Sequence, residues 1–160
     1  MESAELTVGI ADIKIGKAPQ TIKTNLGSCI AVCLYDAEKK IGGMLHLMLA
    51  HSKCASEKTS LKKEKYADTG IAEMLSRLKK TYGLDANKFT AKIFGGAKVL
   101  KTVMHNIGEE NAVAVREILK ECGIKITASQ VGGEKGYRVF FDLETGKVIC
   151  QIFGEEVKEY

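Results

Sequence analysis

Two apolar runs, residues 30–35 and 41–49, stand on either side of the polar turn 36–40. The first run, Ile30-Ala31-Val32-Cys33-Leu34-Tyr35, is β-branched and unbroken, which reads as a buried strand. The second, loosened at Gly42-Gly43, reads as the returning strand of an antiparallel pair. A pair this apolar has to lie inside a layered core.

The rest of the chain is read around that pair. Residues 6–10 alternate weakly and predict a first strand. Ile71, Met74, Leu75, Leu78 and Tyr82 recur at helical spacing, with Gly83 as the stop. Ala112, Val115, Leu119 and Cys122 do the same, with Glu109 and Glu110 near the start and Gly123 at the end. Between these helices, residues 89–94 predict a strand running into Gly95-Gly96, and residues 99–105 a short helix. Residues 124–152 predict three strands separated by Gly132-Gly133 and by Glu144-Thr145-Gly146. The order is strands, then helices, then strands. It predicts an α+β fold of layered mixed or antiparallel sheets with about two to three helices, not a doubly wound parallel sheet. At 160 residues the chain is expected to form one domain over 1–160.

Composition excludes several function classes. The 24 Lys and Arg against 20 Asp and Glu give a net charge of +4, too mild and too evenly spread for a nucleic-acid partner. There is no Trp, and the Phe and Tyr residues do not alternate with a basic face. No run approaches the length of a membrane-spanning helix, so no membrane insertion is expected. The acidic start, Met1-Glu2-Ser3-Ala4-Glu5, lacks the apolar stretch of a signal peptide, which predicts a cytoplasmic protein. The cysteine count is odd, at five, so free thiols are expected rather than a disulfide framework. The lysine-rich segment around residues 50–65 predicts a surface loop, solvated or used for docking.

Several chemistries can be tested on spacing. Cys29 and Cys33 would lie roughly 13 Å apart along a strand, which disfavours a zinc ion bound to both. Gly95-Gly96-Ala97-Lys98 lacks the spacing of a phosphate-binding loop and reads as a tight turn. Cys29 is different, because it follows Leu26-Gly27-Ser28 at the mouth of a strand, where glycine lets a substrate approach the backbone. A thiol near its ordinary pKa needs a base to act as a nucleophile, and histidine is the usual one. The chain offers His46, His51 and His105. If Ala37-Glu38 forms a two-residue turn, Cys29 faces His46 directly across the pair. That turn lacks the Gly or Asn such turns prefer, so a longer loop stays open. So does a second reading, in which Cys29 and His46 are buried packing residues. Cys33, Cys122 and Cys150 fall in apolar patterns and read as core. Cys54 falls in the polar loop.

The stretch Leu26-Gly27-Ser28-Cys29-Ile30-Ala31-Val32-Cys33-Leu34-Tyr35-Asp36, followed by Gly42-Gly43-Met44-Leu45-His46-Leu47-Met48-Leu49, closely resembles the CheD family. These are the chemoreceptor glutamine deamidases of bacterial and archaeal chemotaxis. Further segments resemble the family too: Lys65-Tyr66-Ala67-Asp68-Thr69, Ile93-Phe94-Gly95-Gly96-Ala97, Asn106-Ile107-Gly108 with Asn111, and Gly132-Gly133. The resemblance implies a Cys/His/Thr hydrolase that acts on side-chain amides without metal or organic cofactor. Cys29 would be the nucleophile and His46 the general base and acid. Thr24 would be the third member, with Thr21 as the alternative. Gly27, Ser28, Gly95 and Gly96 would line the substrate or stabilise its oxyanion. Chemoreceptor cytoplasmic helices are the implied substrate, and a CheC-type phosphatase the implied partner. Methylesterase-type activity is associated with the same family. The alternatives are a regulatory binding module for that phosphatase, with catalysis weak or lost, and a Cys/His amidase or protease with another substrate.

Overall fold

A computed structural model describes residues 4–54, 61–99 and 106–160. The short helix expected at 99–105, the middle of the lysine-rich loop and His105 therefore fall wholly or partly outside the described residues. Among the described residues, ten strands form two five-stranded sheets. The strands are β1 (Glu5–Thr7), β2 (Asp12–Lys17), β3 (Thr21–Leu26), β4 (Ile30–Asp36), β5 (Ile41–Leu47), β6 (Thr90–Gly95), β7 (Lys125–Val131), β8 (Tyr137–Asp142), β9 (Val148–Ile152) and β10 (Val157–Glu159). One sheet has the order β1-β3-β8-β9-β10 and the other β2-β5-β4-β6-β7. Each is mixed: β1 runs parallel to β3 and β6 parallel to β7, and the other pairings are antiparallel. Helices α1 (Ala67–Tyr82) and α2 (Ile107–Glu121) complete an α+β architecture.

Two apolar layers explain the sequence patterns. Ile30, Val32, Leu34, Leu45 and Leu47 pack with Ile71, Met74, Leu78, Val115 and Leu119 of the helices. Ala31, Cys33 and Met44 pack on the opposite face, with Ile22, Leu26, Val139 and Phe141 of the other sheet. β4 and β5 are covered on both sides, so their sequences are apolar throughout. β3 has one covered face, so its sequence alternates, with Ile22, Thr24 and Leu26 inward.

The β4–β5 turn differs from the two-residue expectation. Asp36 pairs with Ile41, leaving a four-residue loop, and Ala31 rather than Cys29 lies opposite His46. Ala37-Glu38 cannot supply the left-handed residues of a tight turn. The longer loop meets the need with Lys40 at φ 54° and a bond from Glu38 N–H to Asp36 Oδ1 at 3.1 Å. The shift is two residues, so every side chain keeps its face.

Other boundaries also move. The first strand is shorter than 6–10, and β2 and β3 add two strands that periodicity did not reveal. α1 starts at Ala67, four residues before the first periodic position. Gly42 and Gly43 do not loosen β5. Both are buried, and a side chain on Gly42 would strike Leu34 O while one on Gly43 would strike Ile15 and Met74. Cys33 and Cys150 are core, as expected, whereas Cys122 is half-buried at the end of α2.

The start of α2 is fixed by backbone contact. Asn106 caps it, accepting from Glu109 N–H at 3.0 Å. Two residues later Gly108 presses on Gly96, which has a φ of +68°. A Cβ on Gly108 would collide with Gly96 backbone atoms, which cannot rotate aside. Gly108→Ala is therefore expected to destabilise the protein by about 1–3 kcal/mol, the usual range for overpacking, read from the urea midpoint.

Candidate active site

Thr24 and His46 meet between the sheets, each almost fully buried at 5% and 2% exposure. Thr24 Oγ1 donates to the Val8 carbonyl at 2.8 Å and lies 2.8 Å from His46 Nδ1. A threonine hydroxyl has one proton, and a carbonyl can only accept. With that proton committed to Val8, the hydroxyl must accept from the ring. Nδ1 therefore carries the imidazole hydrogen, and Nε2 is left with its lone pair. Thr21, the alternative third residue, pairs with Glu5 in the β1–β3 ladder and has no bond to His46.

Burial holds His46 below the usual imidazole pKa, and the Asp12 carboxylate opposes part of that shift. Asp12 is the direct strand partner of His46 in β2. Sequence reading passed over it because β2 itself was not recognised. A cavity of about 540 Å³ touches Val8, Ile10, Lys23, Thr24, His46 and Arg138, and Cys29 does not line it.

Cys29 is half-buried and packs against the layer between the sheets. Burial pushes its thiol above the ordinary value. Both shifts favour the uncharged forms, a thiol and a neutral imidazole. Ala31 is opposite His46, and Cys29, one residue outside β4, packs against the same layer between the sheets as Ala31. No hydrogen bond joins Cys29 to His46 among the described residues, a looseness common before substrate binds. Cys33 and Cys150 are also held above the ordinary thiol value by burial, Cys150 to about 11, and neither shares a bond with an imidazole.

The backbone around Cys29 has an unusual balance. The carbonyls of Gly27, Ser28 and Cys29 all accept, from Ala97 N–H at 2.9 Å, Asn111 Nδ2 at 3.2 Å and Gly96 N–H at 2.8 Å. Among the described residues, the N–H groups of these three have no acceptor. In a regular antiparallel rung the Gly96 carbonyl would take the Cys29 N–H. At φ +106° and +68°, Gly95 and Gly96 turn the chain out of the ladder, and the Gly96 carbonyl lies against Gly108. Gly132 and Gly133 border the same turn, through Gly132 N–H to Gly95 O at 2.9 Å and Lys98 N–H to Gly133 O at 2.8 Å.

Comparison with known proteins follows the same lines. Residues 48–152 match the family model described as CheD chemotactic sensory transduction. A Desulforamulus reducens protein named "Probable chemoreceptor glutamine deamidase CheD" is 40% identical over 161 residues, covering 98% of this chain and 95% of that one. A Methanococcus vannielii protein of the same name is 43% identical over 155 residues, covering 96% and 97%. The family-model match begins beyond Cys29 and His46, and the two relatives extend over nearly the whole chain. Among solved structures, a Bacillus licheniformis hypothetical protein, YfiH, is 14% identical and covers 74% of this chain and 50% of its own, with a TM-score of 0.48.

The imidazole state is directly measurable. Nitrogen-15 NMR of the His46 ring is expected to show hydrogen on Nδ1 and a lone pair on Nε2 at neutral pH. Its titration midpoint is expected below the ordinary 6.5, because burial disfavours the cation. A midpoint above that value, or hydrogen on Nε2, would contradict the geometry.

Proposed function

The chain belongs to the CheD family, and from that premise we propose that it is a protein-glutamine deamidase whose nucleophile is Cys29 and whose general base is His46. The observation that carries this reading is the Thr24–His46 bond. With Thr24 spent on Val8, the ring keeps a basic Nε2 on the same sheet face as the thiol.

The chemistry is acyl transfer. His46 Nε2 takes the Cys29 proton as sulfur attacks the carboxamide carbon of a substrate glutamine. The tetrahedral intermediate puts negative charge on the former amide oxygen. The N–H groups of Ser28 and Cys29, which have no acceptor among the described residues, are donors for it in a turn that Gly27, Gly95 and Gly96 shape. His46 then protonates the departing nitrogen, the C–N bond breaks and ammonia leaves. The acyl group remains as a thioester on Cys29. Water, giving a proton to His46, attacks the thioester carbon. The C–S bond breaks, glutamate is released, and the proton returns to sulfur. Thr24 keeps the ring in the tautomer this cycle needs, the part played by the third member of a triad. No metal or organic cofactor takes part.

The substrate in this reading is the helical cytoplasmic part of a chemoreceptor, so the reaction belongs in the cytoplasm. The names of the relatives support a chemoreceptor as the substrate. A CheC-type phosphatase is the proposed partner.

Mass spectrometry of a chemoreceptor cytoplasmic domain is the test. Wild-type protein is expected to convert selected glutamines to glutamate, and Cys29→Ala to lower the rate by at least about 10³-fold. The acid limb of the wild-type rate profile is expected below the ordinary imidazole pKa, because a depressed His46 stays basic to lower pH. A folded wild type that converts no glutamine yet binds the phosphatase would favour the regulatory module.

A further inference from the structure

The β4–β5 ladder ends at Ile30 and Leu47, so Cys29 is the first residue past its last rung. Beyond that point, among the described residues, one side chain from another layer bonds to the chain on both sides. Asn111 of α2 donates from Nδ2 to Ser28 O at 3.2 Å and to Met48 O at 2.8 Å. Ser28 immediately precedes the nucleophile, and Met48 stands two residues after His46. Both amide protons of Asn111 are therefore spent on the open end of the hairpin that carries the catalytic pair.

The side chain is almost fully buried, at 1% exposure, and among the described residues its Oδ1 has no partner. An orphaned buried acceptor opposes folding, and native proteins rarely keep one without a compensating use. Flipping the amide would not help, because Oδ1 would then face two carbonyl oxygens. The helix that carries Asn111 is itself pinned to the active-site turn, through Gly108 against Gly96 and Gly96 N–H to Cys29 O at 2.8 Å. Asn111 thus belongs to a rigid body that already touches the nucleophile's backbone.

We infer that Asn111 is a positioning residue: its amide replaces the missing rung and fixes the separation of the Cys29 and His46 strands while leaving their ends open to substrate. It touches no reacting atom. It acts by holding Ser28 and Met48 at a set distance, which keeps the thiol within reach of Nε2. The inference rests on Cys29 and His46 working as a pair, and not on the identity of the substrate.

The experiment uses the whole protein without receptor. Iodoacetamide labelling of the Cys29 peptide is followed by mass spectrometry near neutral pH, in wild type, Asn111→Ala, Asn111→Ser, His46→Ala and the double variants. If Asn111 acts through the pair, its loss slows Cys29 labelling about tenfold where His46 is present. Where His46 is absent, its loss changes labelling by less than about twofold, because neighbouring effects in a shared network are not additive. Equal slowing in both backgrounds, faster labelling, or no change would overturn the assignment. So would failure of both Asn111 single variants to fold by circular dichroism, which would make Asn111 a folding residue only. A wild type that labels as expected but converts no receptor glutamine would sink the deamidase reading and leave this one standing.

Discussion

Thr24 projects from one sheet and His46 from the other, so the bond between them crosses a layer otherwise filled by apolar side chains. In that layer an unpaired polar group would cost about 1–3 kcal/mol. The Val8 carbonyl, the Thr24 hydroxyl and the ring Nδ1–H satisfy one another in series. The direction of that series is fixed by its last acceptor, a carbonyl that has no proton to give. Both side chains of that series are almost fully buried. Burial further keeps the ring uncharged, which is the state a general base needs before it takes a proton.

Cys29, the proposed nucleophile, is placed by the opposite device, a failure of regular pairing. Cys29 lies just outside β4, where two glycines with positive φ lead the neighbouring strand away. Three carbonyls are taken and, among the described residues, three N–H groups are left over. That imbalance suits a reaction in which negative charge appears on an oxygen beside sulfur. The same irregularity would leave the strand ends loose, and α2 meets the difficulty from behind with Gly108 against Gly96 and Asn111 between the strands.

The buried hairpin and both helices were legible in the sequence because their periods are strong: continuous apolar runs in one case, and three- and four-residue spacing ended by Gly83 and Gly123 in the other. β2 and β3 were not legible. Their residues, DIKIGK and TIKTNL, mix lysines with isoleucines because one face of each is exposed, and six residues give a period of two little room to show. The two-residue turn that would have set Cys29 opposite His46 gave the wrong register, since the turn length depends on backbone angles at Lys40 that residue type does not dictate. Thr24 came from the family resemblance, and the structure places its hydroxyl 2.8 Å from His46 Nδ1. Asp12 and Asn111 had no local signal of their role, because each acts through a tertiary contact with a strand distant in sequence.

The central claim is that the Thr24 hydroxyl, by accepting from His46 Nδ1, leaves Nε2 as the base. The most direct measurement is the deamidation rate constant, kcat, for Thr24→Ser beside Thr24→Val. Serine keeps the hydroxyl and valine keeps only the shape. The account predicts that Thr24→Ser stays within about tenfold of wild type while Thr24→Val loses about 10²-fold or more in kcat, the usual scale of misdirected acid–base catalysis. Equal rates for the two variants would contradict it.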